Sequence, residues 1–142
     1  MNRPFALVPL AVIALSGCTR APTTPPASGE ATVLRCDAPG AGDRVYIDIA
    51  YAPDGMPMAM PDTCTVASRT NVEWRGPDGN SQAFDIRFKN ANPVPSAPDG
   101  QLHSKAGRAR QQAWGDVQAA PGRYDYAIRA GSKERDPAII IR

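Results

Sequence analysis

The sequence predicts an all-β domain, an antiparallel sandwich of seven or eight short strands. Two observations carry this expectation. Apolar and polar residues alternate at period two over residues 45–51, 84–89 and 124–129, the period of a half-buried strand. The 15 prolines and 12 glycines cut the rest into short segments and leave few stretches able to hold a long helix.

The elements follow in order. Residues 32–37 form a first expected strand and carry Cys36. In residues 45–51, Val45, Ile47, Ile49 and Tyr51 share one face. Pro53-Asp54-Gly55 is turn chemistry. Residues 63–67 come next, with Cys64 and Val66 on one side. Asn71-Val72-Glu73-Trp74-Arg75 is short and ends at the turn Gly76-Pro77-Asp78-Gly79-Asn80. Phe84, Ile86 and Phe88 then alternate with Asp85, Arg87 and Lys89, which reads as a hairpin with its apolar face inward. Residues 90–107, rich in Pro, Ser, Asn and Gly, read as a long loop. Residues 109–117 hold one strand with Trp114 buried. After the Pro121-Gly122 turn, Tyr124, Tyr126 and Ile128 share a strand face. Residues 131–135 turn the chain into a last β-branched strand at 138–141.

The start of the chain has a different character. Arg3 gives a positive charge, and residues 5–15 are apolar, interrupted by Pro9 and too short to span a bilayer. The run closes on Leu15-Ser16-Gly17-Cys18. Small side chains at Ser16 and Gly17 suit a peptidase cleft, and the Cys18 thiol is a nucleophile. This combination resembles a bacterial lipoprotein signal, with residues 1–17 as the leader. The resemblance implies that Cys18 carries several acyl chains, palmitate among them, so that membrane lipid is a partner. Two or more chains anchor a protein stably. Thr19 follows the cysteine, which by likeness to enteric lipoproteins implies the outer membrane, with the domain facing the periplasm. Residues 18–30 then form a lipidated cysteine and Pro-rich linker. Lacking large apolar side chains, they cannot bury enough surface to fold. Extended at about 3.1 Å per residue, residues 19–30 reach roughly 35 Å. Residues 31–142 suffice for one domain.

Composition narrows the partners. With 16 Lys+Arg against 14 Asp+Glu and a net charge of +2, there is no basic field for nucleic acid. An envelope protein or a polysaccharide is the expected kind of partner. Once Cys18 is assigned to lipid, Cys36 and Cys64 remain, an even pair in an oxidising compartment. A disulfide closing this loop stabilises by about 3 to 4 kcal/mol in the chain-entropy model; a thiolate metal site is the rival reading.

The order Val72-Glu73-Trp74, Phe84-Asp85-Ile86-Arg87-Phe88, Pro121-Gly122-Arg123-Tyr124-Asp125-Tyr126 and a closing Asp-Pro-Ala-Ile-Ile-Ile resembles the cupredoxin-like (Greek key) fold over roughly residues 44–142. A cupredoxin holds copper with two His, a Cys and usually a Met, since that site needs soft sulfur beside imidazole. The resemblance places Phe84 where the family has its first His, and Ile128 or a neighbour where it has its Cys. Residues 129–142 contain no His, Cys or Met. The resemblance therefore implies a sandwich without the type 1 copper ligands, its pocket filled as core and no cofactor held there.

Met56, Met58 and Met60 are the most unusual feature. Spacing of two puts the three thioethers on one face of an extended chain, and Pro57 and Pro61 favour an edge position. Thioethers select Cu(I), which makes periplasmic copper handling the alternative function; packing of a flexible apolar strand on the sandwich is the plainer use of Met. The single His103 lies in the expected loop with Lys105, Arg108 and Arg110 and reads as solvated; the cations suit anionic lipid or polysaccharide if they meet a partner. There is no Gly-x-Ser-x-Gly elbow, no His-Glu-x-x-His and no phosphate-cradling glycine loop. Asp48 and Asp54 read as strand and turn residues. The expected function is therefore non-enzymatic: a binding or envelope-structure module.

Overall fold

A computed structural model of the chain describes Cys36 and residues 44–142. Cys18, the linker at 18–30 and all but Cys36 of the strand expected at 32–37 lie outside the described residues. Those described form eleven strands: β1 (Arg44–Tyr51), β2 (Pro57–Met60), β3 (Thr63–Val66), β4 (Asn71–Arg75), β5 (Asp85–Phe88), β6 (Gln101–His103), β7 (Lys105–Ala106), β8 (Gln111–Asp116), β9 (Gly122–Ala130), β10 (Lys133–Arg135) and β11 (Ala138–Ile141). A 3₁₀ turn at Pro98–Gly100 precedes β6.

The strands make two sheets. One runs β2-β1-β4-β8-β7; the other runs β3-β11-β9-β5-β6, with β10 added on β9. The all-β, two-sheet expectation is what the structure shows. Most neighbours are antiparallel, but β1 pairs β4 in parallel and β3 pairs β11 in parallel. Parallel neighbours need long crossovers, and here each crossover passes through the opposite sheet. The chain changes sheet after β2, β3, β4, β6 and β8.

This traffic corrects the expected hairpin of residues 71–75 with 84–88. β4 lies between β1 and β8, and β5 lies between β9 and β6 in the other sheet. The intervening segment crosses the roughly 10 Å between packed sheets instead of turning back. The loop expected over 90–107 is also corrected, because β6 and β7 fall inside it. Strands of two or three residues are too short for periodicity to reveal. Likewise 131–135 holds β10, which pairs back on β9 after Gly131.

Inward residues match the alternation. Val45, Ile47 and Ile49 of β1 are buried, as are Ile86 and Phe88 of β5, and Ile139 and Ile141 of β11. Trp74 crosses the core to meet Tyr126 edge-on at 5.6 Å and Phe88 at 6.3 Å between ring centroids. Rings of this size dominate core burial, and edge-to-face packing adds to it. Cys36 and Cys64 form the disulfide, with Cα atoms 5.0 Å apart, so the rival thiolate site is excluded.

One residue departs from expectation in a way that matters. Trp114 was expected in the core and is 48% exposed. In β8 the small residues Ala113 and Gly115 face inward, and Val117 follows them into the core. Gly115 is needed there: a Cβ would collide with Cγ1 of the buried Val94. Because side chains alternate strictly, this close approach sends Gln112, Trp114 and Asp116 to the outside.

Candidate functional site on the outer face of the five-stranded sheet

Pairing across β1, β4 and β8 places outward side chains in rows. Tyr46 lies beside Glu73, and Glu73 beside Trp114; Asp48 lies beside Arg75, and Arg75 beside Gln112. Strands sit about 4.8 Å apart, so the two outward aromatic positions, Tyr46 and Trp114, are roughly 10 Å apart with a carboxylate between them.

These residues surround a hollow of about 620 Å³ lined by Arg44, Tyr46, Glu73, Arg75, Arg110, Gln112 and Trp114. That volume falls in the range of ligand-sized sites. Its polar groups are held in place. Glu73 is only 8% exposed; its Oε1 accepts from Gln112 Nε2 at 2.9 Å and its Oε2 faces Arg44 Nη1 at 3.5 Å. Arg75 donates to Asp48 through Nε at 2.8 Å and approaches it through Nη2 at 2.7 Å. Its guanidinium lies 4.0 Å from the centre of the Tyr46 ring, a cation–π contact. Arg44 also donates from Nε to Asn71 Oδ1 at 3.1 Å, and Asn71 in turn donates to Asp116. Arg110 pairs with Asp78. Lys105 stands 5.7 Å from the Trp114 ring centre.

Sequence reasoning missed this site. The local signal was present: Gln112, Trp114 and Asp116 alternate with Ala113 and Gly115, and Tyr46 and Asp48 alternate with Val45 and Ile47. What no local pattern showed was that these strands are neighbours in this register. Of the basic cluster expected to be solvated, Lys105 and Arg110 reach the face, both through contacts with named partners.

The methionines behave differently from the packing reading. In β2, the edge strand, Pro57 and Ala59 are buried and face the core, whereas Met58 is half-buried and Met60 is 54% exposed. Met56 is also half-buried. The spacing thus presents sulfur outward, opposite Asp48 and Ala50 of β1, and the apolar packing falls to the residues between. Asp54 is the turn residue expected, its Oδ1 accepting from Met56 N–H.

His103 sits on β6 and not in a loop, its exposed ring 2.7 Å from Asp85 Oδ1. Phe84 and Ile128, at the positions the resemblance gives to copper ligands, are 1% and 0% exposed hydrocarbon. No group of three or more His, Cys, Asp or Glu suited to a metal occurs among the described residues. The only histidine is tied to Asp85, and Cys36 and Cys64 are spent in the disulfide. The described residues do not bring together the two imidazoles and the thiolate of a type 1 copper centre.

Among the described residues the deep interior holds one polar anomaly. Trp74 Nε1 and the Tyr126 hydroxyl are buried with no hydrogen-bond partner of full geometry. Burial pushes the Tyr126 phenol well above its usual pKa, opposed in part by the indole N–H beside it. On the outer face of the other sheet, Lys89 meets Asp136 at 2.6 Å, and this hydrogen bond holds the amine above the usual lysine range.

Fold and face together define a two-sheet β-sandwich domain, the class that the cupredoxin-like resemblance implies, bearing a polar, aromatic-edged hollow on one sheet. No protein-family model matches the sequence, and no curated protein matches it. Among solved structures the chain is similar to a multicopper oxidase from Campylobacter jejuni, a metallo-oxidase, at 11% identity and a TM-score of 0.40, over 78% of this chain and 28% of that one. This chain therefore spans less than a third of that protein, and a likeness of this size assigns neither activity nor ligand.

Proposed function

We propose that this chain is a non-enzymatic binding module, held to the outer membrane by acyl chains on Cys18 and facing the periplasm, that takes its ligand on the outer face of the five-stranded sheet. The observation that carries the reading is Trp114, half-exposed at the edge of a hollow whose polar groups are already oriented. Trp, Tyr and Arg are the residues enriched where binding energy concentrates, and ligand sites combine aromatic walls with a few placed polar groups. The face stands on the middle strands of a sheet, so its side chains are held by the core beneath them. Replacement of the expected copper ligands by buried hydrocarbon at Phe84 and Ile128 supports a role without electron transfer.

Hydroxyl-radical footprinting tests the reading, comparing the protein in isolated cell envelopes with the purified chain. The expected result is protection of Trp114 and Tyr46 in the envelope, with Tyr124, near the other sheet's surface, labelled equally in both. Equal labelling of Trp114 in the two samples overturns it.

A second reading is favoured by one observation: the thioethers of β2 face outward. Met56, Met58 and Met60 would hold Cu(I), which soft sulfur selects. Cu(I) titration of the full chain under reducing conditions, beside a variant with all three changed to Leu, decides it. Equal uptake by both ends this reading.

A further inference from the structure

Resting on the binding-face reading, we infer that the hollow takes an acidic polysaccharide, a chain of sugar rings that carry carboxylates. Charge is the first argument. Three guanidiniums line the hollow, from Arg44, Arg75 and Arg110, against one carboxylate. That carboxylate, Glu73, is buried and has both oxygens occupied by Gln112 and Arg44. The partners of Arg75 and Arg110, Asp48 and Asp78, stand outside the lining. Each guanidinium is paired with a carboxylate, so the charges balance overall, but the lining itself holds three guanidiniums to one carboxylate, and planar guanidinium is the cation best matched to a carboxylate.

The shape of the charge excludes a broad anionic plane. Asp48 and Asp116 share this sheet face with the cations, so a lipid surface laid across it meets carboxylates at the rim. A single chain lying in the hollow meets neither in its lining, although Asp48 stays bonded to Arg75. The remaining groups fit a sugar. Trp114 offers a flat apolar ring for the C–H face of a pyranose, and Gln112 and the arginines are planar polar groups that pair with hydroxyls. A peptide partner would instead want several apolar anchors in pockets, and this hollow holds no aliphatic side chain.

The two tryptophans make the test direct, since Trp74 is fully buried and Trp114 is not. Full-length protein in detergent is titrated with polygalacturonate, with dextran, and with vesicles of phosphatidylcholine containing phosphatidylglycerol. Polygalacturonate is expected to shield Trp114 from acrylamide and shift its emission, with dextran and vesicles silent. By calorimetry, Trp114→Ala and Arg44→Gln each weaken polygalacturonate binding by about tenfold or more. Trp114→Phe retains most of it, and Arg129→Gln on the other sheet changes nothing. Added salt weakens binding of the parent chain more than that of Arg44→Gln.

Failure to bind polygalacturonate overturns the inference. Equal binding of dextran, with Arg44→Gln silent, removes the acidic requirement and overturns it too. Shielding of Trp114 by vesicles without polygalacturonate binding overturns the inference and assigns the face to lipid, whereas insertion of the Cys18 acyl chains alone leaves Trp114 exposed. None of these touches the binding-face reading, which falls only if Trp114 is unprotected in the envelope.

Discussion

The two faces of the five-stranded sheet carry one tryptophan each, and they do opposite things. Trp74 on β4 points inward, fully buried, against Tyr126 and Phe88. Trp114 on β8 points outward beside Glu73, the residue next to Trp74 in sequence. The inner face is nearly all hydrocarbon, and among the described residues its one polar anomaly is the poorly aligned pair of Trp74 Nε1 and Tyr126 hydroxyl. The outer face is all partnered polarity around rings. The difference lies in register: a shift of one residue exchanges a strand's two faces. The lesson is that an aromatic residue in a strand says little about core or site until its face is known.

The comparison breaks most clearly on stability. Trp74→Ala is expected to cost about 3 to 5 kcal/mol, because it empties a packed interior. Trp114→Ala is expected to stay within about 0.5 kcal/mol of the parent, as surface changes do. Urea denaturation of both variants measures this, and similar losses at the two sites would mean that Trp114 belongs to the core after all.

A smaller effect sharpens why Trp114 faces out. Gly115→Ala forces a methyl group against Val94, and Val94 is too short and too enclosed to swing aside. Overpacking of this kind costs about 1 to 3 kcal/mol. If the variant matches the parent in denaturation, the close approach of β8 to Val94 does not fix the register.

The smallest effect lies in the inner pair. Tyr126→Phe removes a buried hydroxyl whose neighbour, the Trp74 indole N–H, is poorly aligned with it, so near pH 7 it should change stability by about 1 kcal/mol or less, in either direction. At high pH the sign becomes definite. The unfolded phenol ionises near pH 10, while burial keeps the folded one protonated. The folded state then binds more protons, so stability falls as pH rises above about 10. The Phe variant should lose that part of the alkaline slope, and an unchanged slope between pH 9 and 11 would show that the phenol reaches solvent.

Much of the fold was legible in residues 44–142 because alternation is a local property. Val45, Ile47 and Ile49, or Ile139 and Ile141, declare their inward face with no reference to any other strand. Cys36 and Cys64 were legible as a pair only once the lipoprotein resemblance set Cys18 aside, and the structure decided between disulfide and thiolate site. The errors came where the signal is short or long-range. β6 and β7 are below the length at which a period exists. The supposed hairpin of β4 with β5 failed because adjacency in sequence is only a prior for adjacency in a sheet. Trp114 faces out because its small neighbours Ala113 and Gly115 take the inward side of β8, which its size alone does not reveal.

The sequence by itself determined that this chain is built of strands, where most of them lie, and which side of each carries hydrocarbon, since a period of two needs only neighbouring residues to be read. The tertiary structure alone decided that β1, β4 and β8 stand side by side, and hence that Tyr46, Glu73, Arg75 and Trp114 meet around one hollow. The reason is physical: strand order and register are set by hydrogen bonds and packing between residues far apart in the chain, and no local window contains both partners.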